Sequence, residues 1–180
     1  MKDIILQFPI NIKKFKKHYE LKDKILNAIE GIENPKYSNI TRSDWETARF
    51  DFNKEWFVIF KDDLDVHMYE WCFSLGYDKF HCFEMWFQQY ANGSQHGWHI
   101  HGDHMTAVYY LDLPKDSPKT EWINPMDNTV NQFDVEEGDI IIFPSWIVHR
   151  APINESNNMK TIISWNFNLD NHPAIMTIKE

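Results

Sequence analysis

Residues 138–149 read Gly-Asp-Ile-Ile-Ile-Phe-Pro-Ser-Trp-Ile-Val-His, and this stretch sets the architecture of the C-terminal half. Gly138-Asp139 is typical of a turn, and the apolar run after it is typical of a buried strand. Pro144 cannot donate a ladder hydrogen bond and therefore marks a corner. The stretch predicts two strands joined at that corner, the second of them short and ending at His149.

Strand-like runs surround this stretch throughout the chain after Lys79. They are rich in β-branched and aromatic residues, and Gly, Pro, Asn and Asp separate them, which indicates a β-sandwich or jelly roll. The runs cover residues 80–90, 105–113, 120–124, 139–143 and 160–169. Because strands do not alternate with helices here, a Rossmann-type parallel sheet is not expected.

The first 78 residues have a helical or irregular character instead. Apolar residues recur at helical spacing over residues 21–32 and 64–75, and Gly76 is well placed to cap the second helix. Between them, Phe50 to Phe60 is interpreted as a strand pair around Asn53-Lys54. A solvated helix face is expected from the basic run Lys13, Lys14, Lys16 and Lys17.

The length of 180 residues favours a single domain over residues 1–180. We expect an α+β fold, with a helical or irregular part at 1–78 that buttresses a β core at 79–170. The net charge of −9 argues against a general nucleic-acid binder, which would need a basic face. No apolar run approaches the roughly 20 residues that span a bilayer, and no leader pattern indicates secretion. Cys72 and Cys82 are therefore expected to be reduced thiols.

Residues 95–104 read Gln-His-Gly-Trp-His-Ile-His-Gly-Asp-His and hold four of the nine histidines. Two imidazoles and one carboxylate are the ligands of a non-haem Fe(II) site. His101 and Asp103 can bind one ion, because residues i and i+2 of an extended chain point the same way. His149 is the candidate third ligand, and a structural histidine at a strand end is the alternative reading. His18-Tyr-Glu20 has the same spacing but lies in a predicted helix, where i and i+2 do not share a face.

The order of His101-Gly-Asp103 and then the 138–149 stretch resembles the 2-oxoglutarate/Fe(II)-dependent dioxygenases. The similarity is greatest to the small prolyl-hydroxylase-like members of bacteria and phages, and it covers about Phe83 to Leu169. It implies a double-stranded β-helix (jelly-roll, cupin-like) core with Fe(II), 2-oxoglutarate as co-substrate, and O2. It also implies a location in the cytoplasm of a bacterial or phage-infected cell.

The resemblance further implies a co-substrate site. Tyr90 and Tyr110 match the tyrosines that prolyl hydroxylases place beside 2-oxoglutarate, and Lys160 matches the basic residue that pairs with its far carboxylate. Strand alternation puts Thr106 and Val108 on the same face as Tyr110. The inward face of the last strand is expected to hold Lys160, Ile162, Ser164 and Asn166.

Some positions depart from the family pattern. Many members have Arg where this chain has Lys160, and a frequent Ser is Ile162 here. His99-Ile-His101 offers a His-x-His pair, as in some near relatives that lack the Asp. We prefer Asp103 because a shell of three neutral histidines lacks the anionic ligand. The remaining groups are expected to support the metal ligands or to face the substrate, namely His99, His104, Trp98 and Asn166.

Two alternative functions stay open. A cupin also begins its metal motif with His-x-His, but the Glu that should follow His101 within a few residues is absent, since the next one is Glu121. A non-catalytic jelly roll, as a binding or virion module, could hold zinc with the clustered histidines.

The resemblance implies hydroxylation of a C–H bond with release of succinate and CO2. It suggests a prolyl or other peptidyl substrate, and a small-molecule substrate stays open, as does the oligomeric state. Neither a nucleic acid nor a membrane is expected as a partner. Residues 91–100 and 114–132 are expected to shape the mouth of the site, with Trp98 and Trp122 as core or stacking residues.

Overall fold

Residues 8–32, 36–37 and 41–170 are described in the computed structural model of the chain. The helices are α1 (His18–Glu30), α2 (Trp45–Ala48), α3 (Glu55–Val58) and α4 (Lys61–Ser74). The strands are β1 (Asn11–Lys14), β2 (Lys36–Tyr37), β3 (Arg42–Ser43), β4 (Lys79–Tyr90), β5 (His96–His99), β6 (Met105–Asp112), β7 (Glu121–Ile123), β8 (Val130–Gln132), β9 (Asp139–Pro144), β10 (His149–Ala151) and β11 (Lys160–Asp170).

The strands form two antiparallel sheets, so the α+β class is confirmed. The larger sheet has seven strands in the order β1-β9-β6-β11-β4-β3-β2, and the smaller has four in the order β5-β10-β7-β8. The five predicted strands correspond to β4, β6, β7, β9 and β11. The 138–149 stretch supplies β9 to the larger sheet, and its last residue, His149, begins β10 of the smaller one. The short strand predicted to end at His149 is wrong, because residues 145–148 form the turn between the two sheets and the strand continues beyond His149.

Two hydrophobic cores lie on the opposite faces of the larger sheet. Alternate residues of its strands enter each core, because the side chains of a strand alternate in direction. Ile163, Trp165 and Phe167 of β11 pack in the core that contains the helices. Ile162, Val108 and Tyr110 belong to the inter-sheet core, as the predicted strand faces require.

The two predicted helices are confirmed as α1 and α4. Gly76 follows α4 with a positive φ of 82°, and the N–H of Tyr77 returns to the carbonyl of Cys72, as in a glycine-terminated helix. The strand pair expected at Phe50 to Phe60 is wrong, because α3 occupies this segment. Its buried Trp56 and Phe57 pack in the helix-backed core, which favours a helical turn over two short strands.

The N-terminal third also contributes strands that the sequence did not indicate. β1 pairs antiparallel with β9, from Asn11 opposite Ile142 to Lys14 opposite Asp139. The expected helix face at the basic run is therefore wrong for Lys13 and Lys14, which lie in a strand. Polar residues suit this strand because it is at the edge of the sheet.

His18 has a structural role beneath the turn that begins the 138–149 stretch. Its ring is fully buried, and its Nδ1 lies 2.7 Å from the hydroxyl of Tyr109. Gly138 has a φ of +88°, and a Cβ there would lie 2.7 Å from the His18 ring. The turn therefore needs glycine both for its backbone angle and for the space that the imidazole occupies.

None of the helices within the described ranges is long and apolar enough to cross a membrane.

Candidate metal centre

Three histidine side chains converge beside the end of the inter-sheet space. His99 ends β5, His101 follows it, and His149 begins β10. One potential ligand atom of each lies within 4.8 Å of those of the other two. The ring centroids are 4.3 Å apart for His99 and His149, 5.0 Å for His99 and His101, and 5.2 Å for His101 and His149.

Strand pairing builds this cluster. His99 and His149 are direct partners in the antiparallel pairing of β5 with β10. His101 is two residues after His99 and shares its direction. Its backbone N–H donates to the carbonyl of Ser145 at 3.0 Å, which ties the segment to the corner between β9 and β10.

Burial favours the neutral form of all three imidazoles, which is the form that binds metals. Burial, and after it the neighbouring histidines, lower the pKa of His149 to about 3 and that of His101 to about 4. The pKa of His99 is also lowered by burial.

Backbone carbonyls fix two of the rings. Nδ1 of His149 lies 2.9 Å from the carbonyl of Ile147, and Nδ1 of His99 lies 2.7 Å from that of Gly97. When Nδ1–H donates to a carbonyl, the Nε2 lone pair is free for a metal. This donor set fits a divalent transition metal.

The structure does not bring Asp103 into this cluster. Asp103 is half-buried in the turn before β6, and no ligand atom of it belongs to the group that His99, His101 and His149 form. His99 instead completes the group, although the sequence indicated a supporting role for it. The one sequence signal for this was the His-x-His spacing, whose two members share a strand face.

The other two histidines of the 95–104 segment lie outside the group. His96 stacks on His99 with ring centroids 4.1 Å apart, and its Nδ1 lies 3.2 Å from the amide nitrogen of Gln88. His104 is exposed, and its Nδ1 accepts from the backbone N–H of Leu169 at 3.2 Å.

Lys160 is buried beside the inter-sheet core, with 1% of its surface exposed. Its Nζ donates to the carbonyl of Pro118 at 2.9 Å and lies 4.6 Å from the ring centre of Tyr90. Burial lowers its pKa to about 8. No carboxylate among the described residues forms an ion pair with it.

The two tyrosines predicted to accompany Lys160 are both buried. The hydroxyl of Tyr90 donates to Oε1 of Gln88 at 2.9 Å, and that of Tyr110 donates to Oγ1 of Thr120 at 2.7 Å. A narrow cavity of about 30 Å³ runs between the sheets. The cavity extends from the histidine group to Tyr90. Its walls include His149, Thr106, Val108, Tyr90, Thr120 and Ile162.

A larger cavity of about 450 Å³ opens on the other side of the histidine group. Part of its lining was not predicted from the sequence, because Glu84, Trp86 and Gln88 are alternate residues of an ordinary strand, β4, and Trp45 begins the short helix α2. The wall includes His99, His101, Trp45, Glu84, Trp86 and Gln88. A cavity of this size is typical of a small-molecule or side-chain binding site.

Asn166 and the two mouth tryptophans occupy different surroundings. The amide nitrogen of Asn166 lies 3.2 Å from Nδ1 of His101. Trp98 is partly exposed, and the guanidinium of Arg150 lies 4.5 Å over its ring. Trp122 stacks on Phe133 with centroids 5.7 Å apart and packs against the inter-sheet core. Part of the expected mouth loop at 91–100 is strand β5.

Comparison with solved structures identifies similar folds. The viral collagen prolyl hydroxylase from Paramecium bursaria Chlorella virus-1, solved as a 2OG complex, has a TM-score of 0.62 at 18% identity, covering 88% of this chain and 94% of that one. A prolyl hydroxylase from Trichoplax adhaerens, in complex with a hypoxia inducible factor peptide fragment, has a TM-score of 0.62 at 18% identity, with coverages of 94% and 87%. A prolyl-4-hydroxylase from Pseudomonas putida has a TM-score of 0.57 at 17% identity, with coverages of 87% and 91%.

At these identities the similarity establishes a shared fold. The resemblance to the 2-oxoglutarate/Fe(II) dioxygenases is thus confirmed at the level of architecture. No protein-family model and no curated protein matches the sequence.

Proposed function

We propose that this protein is a dioxygenase that uses Fe(II), 2-oxoglutarate and O2 to hydroxylate a C–H bond of a peptide or small molecule, with release of succinate and CO2. One observation carries the proposal. Three imidazoles that form a metal-sized group line the narrow inter-sheet cavity, and the buried Lys160 lies over the ring of Tyr90, which lines the same cavity, with no carboxylate partner among the described residues. The shared fold with prolyl hydroxylases supports it.

Lys160 is the strongest support for a dianionic co-substrate. A lone buried charge costs several kcal/mol, on the order of the penalty for an unpaired ion in a protein interior. The remote carboxylate of 2-oxoglutarate would neutralise it. Tyr90 and Tyr110 are proposed to bind the same carboxylate, because an ammonium is a point charge that does not orient its partner.

His101 and His149 are proposed as two of the metal ligands. The convergence of the three rings favours His99 as the third, and Asp103 is the alternative that the family pattern suggests. The choice is testable by Co(II) titration of His99→Ala and Asp103→Ala. We expect the first to lose most of the affinity and the second to retain it, and the reverse result would assign Asp103.

The two sheets are proposed to be the double-stranded β-helix core of this class, within a single domain over residues 1–180. The passage of the 138–149 stretch from one sheet to the other supports this. The inter-sheet space has the histidines on its wall, together with apolar residues such as Val108 and Ile162 and polar ones such as Thr106 and Thr120.

When bound, Fe(II) and 2-oxoglutarate supply the oxidising chemistry, in which the co-substrate is decarboxylated as O2 is consumed. The chain binds and orients the reactants. Lys160 holds the co-substrate, and the carbonyls of Gly97 and Ile147 hold the rings of His99 and His149. Val108 and Ile162 line the narrow cavity and keep it dry.

The larger cavity is proposed to receive the substrate, because it adjoins the histidine group. One neighbour is named as a viral collagen prolyl hydroxylase, and another is a prolyl hydroxylase in complex with a hypoxia inducible factor peptide fragment. A prolyl or other peptidyl side chain is therefore the first class to screen.

The deciding experiment is anaerobic addition of Fe(II) and 2-oxoglutarate, followed by exposure to O2. We expect a weak visible charge-transfer band before O2 and succinate afterwards. A mass-spectrometric screen of peptides and free amino acids should then find a +16 Da product that requires both additions. A band that is absent in wild type would contradict the proposal.

A non-catalytic zinc module is the second candidate, because three histidines are also a zinc donor set. It does not account for the buried cation at Lys160. Tight zinc binding with no band and no succinate would favour it.

A further inference from the structure

A chain of polar contacts joins the wall of the larger cavity to His101. Oε1 of Glu84 accepts from the amide nitrogen of Asn166 at 2.7 Å, and the same nitrogen lies 3.2 Å from Nδ1 of His101. On its other side, Oδ1 of Asn166 accepts from the hydroxyl of Thr106 at 2.9 Å. The Asn166 amide is thus the single link between Glu84 and a proposed ligand.

Strand register places these groups side by side. Asn166 of β11 is the direct partner of Glu84 on β4 and of Thr106 on β6. Asn166 is fully buried. Its side-chain amide can therefore flip by half a turn, which exchanges its nitrogen and oxygen, but it keeps the same neighbouring groups.

The outer end of the chain is held as well. Oε2 of Glu84 lies 3.2 Å from Nε of Arg49, and the Arg49 guanidinium lies 4.1 Å over Trp45 and 4.4 Å over Phe50. Glu84 and Trp45 both line the larger cavity. The carboxylate is therefore hydrogen-bonded at Oε1 and ion-paired at Oε2.

A carboxylate only accepts hydrogen bonds, so Glu84 dictates which way the Asn166 amide faces. With its nitrogen toward Glu84, the amide also presents an N–H to Nδ1 of His101, and the ring proton then lies on Nε2. A metal bound at Nε2 requires the proton on Nδ1 and an acceptor beside it. The amide supplies that acceptor only when Oδ1 turns toward His101.

Thr106 can follow such a turn. Its hydroxyl lies 2.8 Å from that of Ser145, and either group can donate in that pair. The Thr106 hydroxyl can therefore donate to Ser145 instead of to Asn166. Its oxygen can then accept a hydrogen bond from the turned Asn166 amide. Only Glu84 opposes the turn, because it would then face an amide oxygen.

We infer that Glu84 is a positioning residue that sets the affinity of the metal centre by acting through Asn166 on His101. The inference rests on the proposed function. A neutral group at position 84 that can donate as well as accept would let the amide take the metal-binding orientation.

The test is Co(II) affinity and the Co(II) d–d spectrum of the full chain. We expect Glu84→Gln to tighten Co(II) binding about tenfold, on the scale of a charge-assisted hydrogen bond. The same substitution in an Asn166→Ala background should have no effect, because the link is gone. Glu70→Gln is the matched control, since Glu70 pairs with Lys13 and Lys16 outside the cavity walls.

A merely structural role for Glu84 predicts weaker binding and a lower melting temperature in Glu84→Gln. Unchanged or weaker Co(II) binding, or an effect that persists in Asn166→Ala, would overturn the inference. Failure of wild type to bind Co(II) would overturn the proposed function with it. A third outcome would overturn this inference and leave the proposed function intact: wild type binds Co(II), His149→Ala abolishes the binding, and Glu84→Gln does not change it.

Discussion

Both faces of β11 are buried, but one carries large apolar side chains and the other carries several polar ones. One face carries Ile163, Trp165 and Phe167 into the helix-backed core. The other places Lys160 over the ring of Tyr90, Ser164 in the wall of the narrow cavity and Asn166 beside His101. One strand can therefore serve both the stability of the fold and the candidate site, because its side chains alternate between the two faces of the sheet. Substitutions on one face are expected to change the free energy of unfolding, and substitutions on the other to change binding or activity.

The largest expected effect is on the inter-sheet side. His149→Ala removes a proposed ligand from the centre of the group, and we expect iron-dependent succinate release to fall to background. The protein should still unfold cooperatively, because the helix-backed core is intact. His81→Ala, an exposed histidine paired with Asp170, is the control and should keep full activity. Succinate release by His149→Ala above background would contradict the assignment.

A substitution on the helix-backed face of β11 should mainly lower the free energy of unfolding. Trp165→Ala empties a site that is 1% exposed, and we expect a loss of about 3–5 kcal/mol in the free energy of unfolding, as for other buried aromatic truncations. Urea denaturation measures it. Co(II) affinity of the folded variant should equal that of wild type, and a tenfold change in it would show that the two faces are not independent.

Lys160→Met tests the polar face without a large change in volume. We expect the 2-oxoglutarate concentration for half-maximal turnover to rise about 100-fold, the upper range for loss of a charged hydrogen bond. Co(II) affinity should not change. Thermal stability should be equal or higher, because a buried unpaired charge is removed. Lys119→Met, at an exposed ion pair with Asp134, controls for loss of charge.

The smallest effect concerns His67, a buried histidine on the helix side. Its pKa is lowered to about 4, first by burial and then by Lys13 and Lys16, while Glu70 acts in the opposite direction. Because the unfolded chain binds the proton first, stability is lost as pH falls from about 6.5 towards 4. His67→Leu should reduce this loss by about 1–2 kcal/mol between pH 6.5 and 5. Parallel pH–stability curves for the two proteins would refute it.

Much of the fold could be predicted where a strand carries its own apolar pattern. β6 and β9 are continuous apolar runs, and their pairing follows from the need to bury them. β1 and β5 have polar or mixed sequences and become strands only because a partner edge is available. Phe50 to Phe60 has strand-like composition, but tertiary packing selects a helix.

The site could be predicted in its residue types more than in its geometry. His101, His149 and Lys160 were predicted from order and spacing; the structure brings the two histidines into one group and places Lys160 over the ring of Tyr90. The choice between His99 and Asp103 depends on where the strand ends before the turn, which no local pattern specifies. Glu84 and Trp86 left no signal, because only the approach of β5 turns their strand face into a cavity wall.

The pairing of β1 with β9 has a consequence for the behaviour of the chain in solution. β9 holds Ile140, Ile141 and Ile142, and β1 covers its outer hydrogen-bonding edge. Without residues 11–14, this edge would offer unpaired backbone groups beside an apolar strand, the arrangement that templates intermolecular β-pairing. The short lysine-bearing strand thus disfavours self-association through β9, and its charges disfavour the pairing of a further strand with β1.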